Sequence, residues 1–276
     1  MLAQMAQATQ RFQAAEYYNE LFSRIRSAFV RKFVASDGTV GNSSQTSFIL
    51  ALHFDLVPHK LRPVAVAHLV ADIERRGTLL STGFLGTPYA LDVLADGGHP
   101  ELVFKLLTRS DYPSWGYMVR KGATTIWERW NGDVGDLSMN SFNHYALGAV
   151  VGFLYRRVAG IEPDAPGFAR ARIRPLLKSD FSACSASVLT ASGRISTKWA
   201  RSAQGLINVE VEVPANVVAF VHLPRDSRAS NAGRQRFAGE FPGARRVTRS
   251  AQDLIVEIGS GRWSFDARRS AVASFP

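Results

Sequence analysis

The chain is short of cysteine: Cys184 is the only one in 276 residues. A single thiol forms no internal disulfide and no thiolate metal cluster, which suits a reducing compartment, and a cytoplasmic location is expected. There is no apolar run approaching the roughly 20 residues that a membrane helix needs. The start, MLAQMAQATQRF, lacks the basic region, apolar stretch and cleavage site of a secretory signal. Carboxylates are not clustered into an oxygen cage, so neither a metal nor another cofactor is expected. Acidic side chains are also the scarcer sign, 23 Asp and Glu against 33 Lys and Arg. Residues 1–160 hold 16 basic and 13 acidic side chains, residues 161–276 hold 17 and 10, so the excess lies in the second half. Its arginines are scattered through RARIRP, RDSR, GRQR and ARR, without the interleaved aromatics of a base-stacking platform. No nucleic-acid partner and no membrane partner is expected; polyanion binding by the basic half is a rival reading that salt-sensitive retention would support.

What is present is an ordinary globular composition, 46% hydrophobic, enough for one large domain or two of common size. Up to about residue 160 the hydrophobic period is helical. Phe12, Ala15, Phe22, Ile25, Phe29 and Phe33 recur at three- and four-residue steps, predicting a long helix from Arg11 to about Val34. GNSSQTSFILALHFDLVP opens with serines able to cap a helix and closes at Pro58. RPVAVAHLVADIERRG places Pro63 at a first helical position and Gly77 past the end. GTPYALDVLADGG repeats the device with Thr87, Pro88 and Gly97, and HPELVFKLLTRS with Pro100. A last helix is predicted from about Ser141 to Gly160, after one long loop around residues 111 to 139.

Beyond Gly160 the period becomes two. LINVEVEV alternates Ile207, Val209, Val211 and Val213 with polar residues, as a strand with one buried face does. GRISTKWA and NVVAFVHLP add strands, and DLIVEIGSGRWSFD reads as a hairpin turning at GSG. Short, evenly spaced strands with glycine turns imply an antiparallel β-sandwich. The boundary falls at AGIEPDAPGF, giving domains 1–162 and 163–276.

The stretch KGATTIWERWNG, Lys121 to Gly132, sets one carboxylate, Glu128, between Trp127 and Trp130. Apolar rings beside a carboxyl raise its proton affinity and a flanking Arg129 lowers it, the kind of tuning acid–base catalysis uses. Tryptophan faces also accept the axial hydrogens of sugar rings, so the combination suggests carbohydrate. The alternative is a structural glutamate paired with arginine, on a loop whose tryptophans are core.

Two long stretches, TGFLGTPYALDVLADGGHPELVFKLLTRSDYPSWGYMVRKGATTIWERWNG and SMNSFNHYALGAVVGFLYRRVAGI, resemble the C-terminal half of the catalytic domain of bacterial α-L-rhamnosidases. The tail, with GFARARIRP and GRISTKW, resembles the β-sandwich domain that follows it. The resemblance implies a six-hairpin glycosidase: a partial (α/α)6 barrel of about six helices, followed by an antiparallel β-sandwich. It implies hydrolysis of terminal α-L-rhamnose with inversion, on rhamnose-terminated glycosides or oligosaccharides. The family's general base falls on Glu128 and its sugar-contacting histidine on His144 of NSFNHY, and Trp127 and Trp130 would shape the pocket. His144 also reads as a polar residue satisfied near a helix start, and the tryptophans as barrel core. Asn140 and Asn143 are weaker candidates, equally explained as caps; Asp133 and Asp136 could be supporting carboxylates. The family's general acid comes from an Asp-Cys-Pro segment followed by Arg-Asp-Glu, which does not occur here. The expectation is therefore a fragment, nearly inactive on unactivated rhamnosides, that associates through exposed apolar faces with a missing N-terminal half. A non-catalytic carbohydrate-binding or structural remnant, or another six-hairpin glycosidase, are the alternatives.

Overall fold

The computed structural model describes residues 1–136, 138, 141–177, 181–225, 227–229, 243–249 and 253–267. The chain folds as two compact units, Met1–Gly148 and Ala149–Pro276.

The first unit is helical. It comprises α1 (Leu2–Ala8), α2 (Phe12–Phe33), α3 (Gln45–His53), α4 (Arg62–Arg75), α5 (Thr87–Asp96), α6 (Pro100–Thr108), α7 (Trp115–Arg120) and α8 (Tyr145–Gly148). The start signals work as their chemistry requires. Ser44 caps α3, its hydroxyl accepting from the Ser47 amide, and Pro63, Pro88 and Pro100 stand in first turns, where an amide would have no intrahelical partner. Gly77 ends α4 at φ 79°, while after α5 it is Gly98, not Gly97, that takes the left-handed position. Phe48, Ile49, Leu69, Ile73, Leu94, Phe104, Met118 and Leu147 are fully buried and make the core, each stabilising the fold by about 1.5–3 kcal/mol. The long helix α2 is different. Ala15 is its buried residue, and Phe12, Tyr17, Phe22, Ile25 and Phe33 lie exposed along it, an open apolar face of the kind expected of a partial barrel.

Two differences from the sequence reading stand out among the helices. The supposed loop from residue 111 contains α7, capped by Ser114, whose hydroxyl accepts from the Tyr117 amide. The last helix starts at Tyr145 and runs in pieces, α8, then α9 (Val150–Phe153) and a wider π turn over Leu154–Val158. Residues 141–144 are withheld from it because their backbone groups pair elsewhere.

The second unit carries β1 (Ile161–Pro163), β2 (Arg170–Ile173), β3 (Ala183–Thr190), β4 (Gly193–Arg201), β5 (Ile207–Val213), β6 (Val218–Pro224), β7 (Arg228–Ala229), β8 (Arg246–Arg249), β9 (Asp253–Ile258) and β10 (Gly261–Ala267). They form two five-stranded sheets, ordered β1-β2-β6-β9-β8 and β3-β4-β5-β10-β7. Burial alternates as the period-two pattern predicts: Ile207, Val209, Val211 and Val213 are buried in β5, Ala219, Val221 and Leu223 in β6. Trp199 of β4 is wholly buried, and its indole N–H donates to the Val158 carbonyl at 2.8 Å. The pairing is antiparallel except between β2 and β6, which run parallel. The GSG turn is not a hairpin. β9 pairs with β6 and β8, β10 with β5 and β7, so both hydrogen-bonding edges of each strand are filled and the turn carries the chain from one sheet to the other. Among the described residues no helix is long and apolar enough to cross a membrane.

One buried polar cluster ties the helical unit together. Gln45, at the start of α3, donates to Asp72 of α4 at 3.0 Å and to the Leu79 carbonyl at 3.1 Å, and its carbonyl accepts from the Ser81 amide at 2.8 Å. Burial pushes the Asp72 carboxyl up, but hydrogen bonds from Arg76 and Gln45 and the charges of Arg76 and Arg75 outweigh it and hold the group below its ordinary value. A carboxyl lowered in the fold adds stability above its unfolded value, about 3.9, that is lost as pH falls through the folded value. Asp72→Asn should therefore lower the urea midpoint at pH 7 and narrow its gap to the wild type at pH 3; a gap independent of pH would deny Asp72 this role.

Candidate active site

Residues 126–128 and 141–144 run side by side. The Glu128 amide donates to the Ser141 carbonyl at 2.9 Å and the His144 amide to the Ile126 carbonyl at 2.9 Å. The Ser141 amide in turn donates to Glu128 Oε2 at 3.0 Å, and the Thr125 hydroxyl bonds the Phe142 carbonyl. This pairing leaves Glu128 Oε1 facing His144 Nε2, 4.0 Å away, with 29% and 20% of the two side chains exposed. His144 Nδ1 accepts from the Ala146 amide at 3.2 Å, capping α8 and placing the proton of the neutral ring on Nε2, toward the carboxylate. His144 is thus both the cap and the neighbour of Glu128 that the two sequence readings set against each other.

A separation of 4.0 Å is too long for a hydrogen bond and wide enough for an oxygen atom about 2.8 Å from each side. The pair can hold a water or a sugar hydroxyl, with Oε1 accepting its proton and Nε2–H donating to its lone pair. Arg129 donates to the Asp136 carbonyl at 3.4 Å.

The tryptophans lie beneath. Trp130 is 8% exposed; its indole N–H donates to the Thr82 carbonyl at 2.8 Å, and its ring meets that of Trp115 edge-on at 5.1 Å. The Trp115 N–H donates to the Leu147 carbonyl at 2.9 Å. Trp127, 6% exposed, packs edge-on against Phe142 at 6.0 Å and lies so close to Gly132 that a Cβ there would come within 3.1 Å of its ring. The exposed rings near Glu128 and His144 are others: Phe84, Phe142 and Tyr145. Tyr145 stacks on the His144 ring at 4.8 Å and Phe84 meets it edge-on at 6.4 Å. Sequence reasoning passed over Phe84, Phe142 and Ser141, because nothing local to STGFLG or to a serine amide marks proximity to a residue far along the chain.

The other loop acids serve the loop. Asp133 accepts from the Tyr117 hydroxyl at 3.2 Å and pairs with Lys121 at 3.3 Å, and that bond, with the nearby Tyr117, raises the proton affinity of Lys121. Asp136 accepts from the hydroxyl and amide of Ser138, which hold its carboxyl below its ordinary value, aided by the charge of Arg129. Asn143 donates its amide to the Ser141 hydroxyl at 3.3 Å; Asn140 lies outside the described residues. Among the described residues no three His, Cys, Asp or Glu side chains gather as a metal site.

A family model described as the bacterial alpha-L-rhamnosidase 6 hairpin glycosidase domain matches residues 1–158, and one described as the bacterial alpha-L-rhamnosidase C-terminal domain matches residues 160–238. The chain belongs to the bacterial alpha-L-rhamnosidases. An alpha-L-rhamnosidase of Streptomyces avermitilis is 42% identical over 224 residues, 79% of this chain and 22% of the relative. One from an Alteromonas species is 39% identical over 212 residues, 74% of this chain and 23% of its own. The crystal structure of the Streptomyces avermitilis alpha-L-rhamnosidase complexed with L-rhamnose matches with a TM-score of 0.85 at 37% identity, over 96% of this chain and 25% of that one. The native Aspergillus terreus enzyme gives 0.83 at 29% identity, over 98% and 29%. The chain thus spans about a quarter of the length of the rhamnosidases it matches. Its helical unit is part of a six-hairpin glycosidase domain, with the C-terminal domain following.

The buried indole bonds give a direct check on how the site is braced. Trp130→Phe removes the shorter of the two bonds to the buried Thr82 carbonyl, leaving it the Thr87 hydroxyl at 3.3 Å, and should cost about 0.5–1.5 kcal/mol in chemical denaturation. A variant as stable as the wild type would show that this bond does not brace the loop.

Proposed function

We propose that the chain carries the water-activating side of an inverting alpha-L-rhamnosidase site, acting on rhamnose-terminated glycosides or oligosaccharides. Glu128 is the general base. His144 binds a sugar hydroxyl through Nε2–H, and Trp127 and Trp130 shape the pocket as its packed floor. One observation carries the reading: a partly exposed carboxylate, fixed through one oxygen by the Ser141 amide, turns its other oxygen to an imidazole 4.0 Å away. The names of the relatives and the L-rhamnose complex support the choice of sugar.

An inverting glycosidase divides the work between two carboxyl groups roughly 6.5–9.5 Å apart, one deprotonating water and one protonating the departing oxygen. Asp133 and Asp136 are held by their loop partners, so we assign the acid to a part of the six-hairpin domain outside these 276 residues. The exposed apolar side of α2 is our candidate docking face for that part. A cytoplasmic location belongs to the same proposal, supported by the single cysteine.

A substrate with a good leaving group needs no acid, which isolates the base. On an aryl α-L-rhamnoside with a nitrated phenol, the chain should show slow turnover that Glu128→Gln lowers by about 10²-fold or more, with L-rhamnose binding retained. Equal rates would remove Glu128 from the chemistry; binding with no turnover in either protein would favour the carbohydrate-binding alternative.

A further inference from the structure

The segment before α5 is fixed from below. The Ser81 amide donates to Gln45, the Thr82 carbonyl accepts from Trp130, and the Thr87 hydroxyl donates to the Gly83 carbonyl at 2.8 Å. Gly86 sits so tightly that a Cβ would come within 3.0 Å of Thr46 and Thr82. Leu80, Thr82 and Thr87 are buried, yet Phe84 and Leu85 at the tip stand 50% and 58% exposed. A loop this well anchored that holds two adjacent apolar side chains in water offers a contact surface. Phe84 is also the ring that meets the edge of His144.

In an inverting reaction the base lies on the face of the sugar opposite the leaving group, so side chains gathered round the base line the sugar and not the aglycone. L-Rhamnose presents hydroxyls at C2, C3 and C4, which suit Glu128 and His144. Its one wholly apolar substituent is the methyl at C5. We propose that Phe84, with Leu85 beside it, seats this methyl group, so that the 81–86 loop selects a 6-deoxy hexose over its hydroxymethyl counterpart. The inference rests on the reading of the Glu128–His144 site given above. A hydroxymethyl group placed there would bring an unpartnered hydroxyl onto the phenyl ring.

Saturation-transfer NMR of the full chain with three sugars tests it. L-Mannose has a hydroxymethyl where L-rhamnose has its methyl, and L-lyxose has only hydrogen. L-Rhamnose should bind about fourfold more tightly than L-lyxose, the effect of burying one methyl-sized group, and L-mannose should bind no better than L-lyxose. The methyl protons should receive the strongest saturation. Phe84→Ser should bring the rhamnose-to-lyxose ratio close to one, and Phe84→Leu should keep most of it. His144→Ala should weaken all three sugars alike. A ratio that survives Phe84→Ser while His144→Ala weakens every sugar overturns the methyl seat and leaves the site reading standing; sugar binding that is absent, or indifferent to His144→Ala, overturns both.

Discussion

Everything proposed about the site depends on one backbone pairing, that of residues 126–128 with 141–144. Two amide-to-carbonyl bonds join the segments, and a third amide, that of Ser141, reaches past the backbone to the Glu128 carboxylate. A carboxylate that accepts from a backbone amide is oriented without a second charge nearby. The same pairing takes backbone groups of residues 141–144 away from the helix, so α8 begins at Tyr145 and His144 falls at its cap with Nδ1 occupied by the Ala146 amide. Helix start, imidazole tautomer and carboxylate orientation are thus consequences of a single register.

Below this pairing, indoles do structural work. A buried indole N–H needs an acceptor, and Trp115 and Trp130 find theirs on backbone carbonyls of Leu147 and Thr82. With their rings in edge contact, the two tie α7, α8, the segment after Glu128 and the loop before α5 into one body. Gln45 extends the tie to α3 and α4 through Asp72. The aromatic richness around Glu128 is therefore in large part scaffold, and the rings that meet solvent come from Phe84, Phe142 and Tyr145.

The sequence was most legible where local chemistry decides. Ser44, Pro63, Pro88 and Pro100 mark helix starts because caps and missing amides act within one turn, and the alternation in β5 and β6 survives because each strand buries one face. It was least legible where distant pairing decides. A GSG turn is locally the same whether its strands pair or part, and only the filled edges of β9 and β10 send them to different sheets. The helical pattern through residues 141–144 loses to hydrogen bonds from 126–128. Glu128 was marked by the tryptophans that flank it, its assignment as the base and the choice of His144 came from family likeness, and Phe84 carries no local signal, since one phenylalanine in a turn is common and its meaning comes from His144 beside it.

The pairing itself can be measured without any substrate. Amide hydrogen exchange, followed residue by residue by NMR, reads whether the hydrogens of Glu128, Ser141 and His144 are held. The account predicts exchange slowed roughly a hundredfold or more at all three amides relative to an unstructured chain, with Ser141 alone hastened in Glu128→Gln. Exchange at unstructured rates for Glu128 and His144 would contradict it, because the carboxylate and the imidazole would then have nothing to hold them face to face.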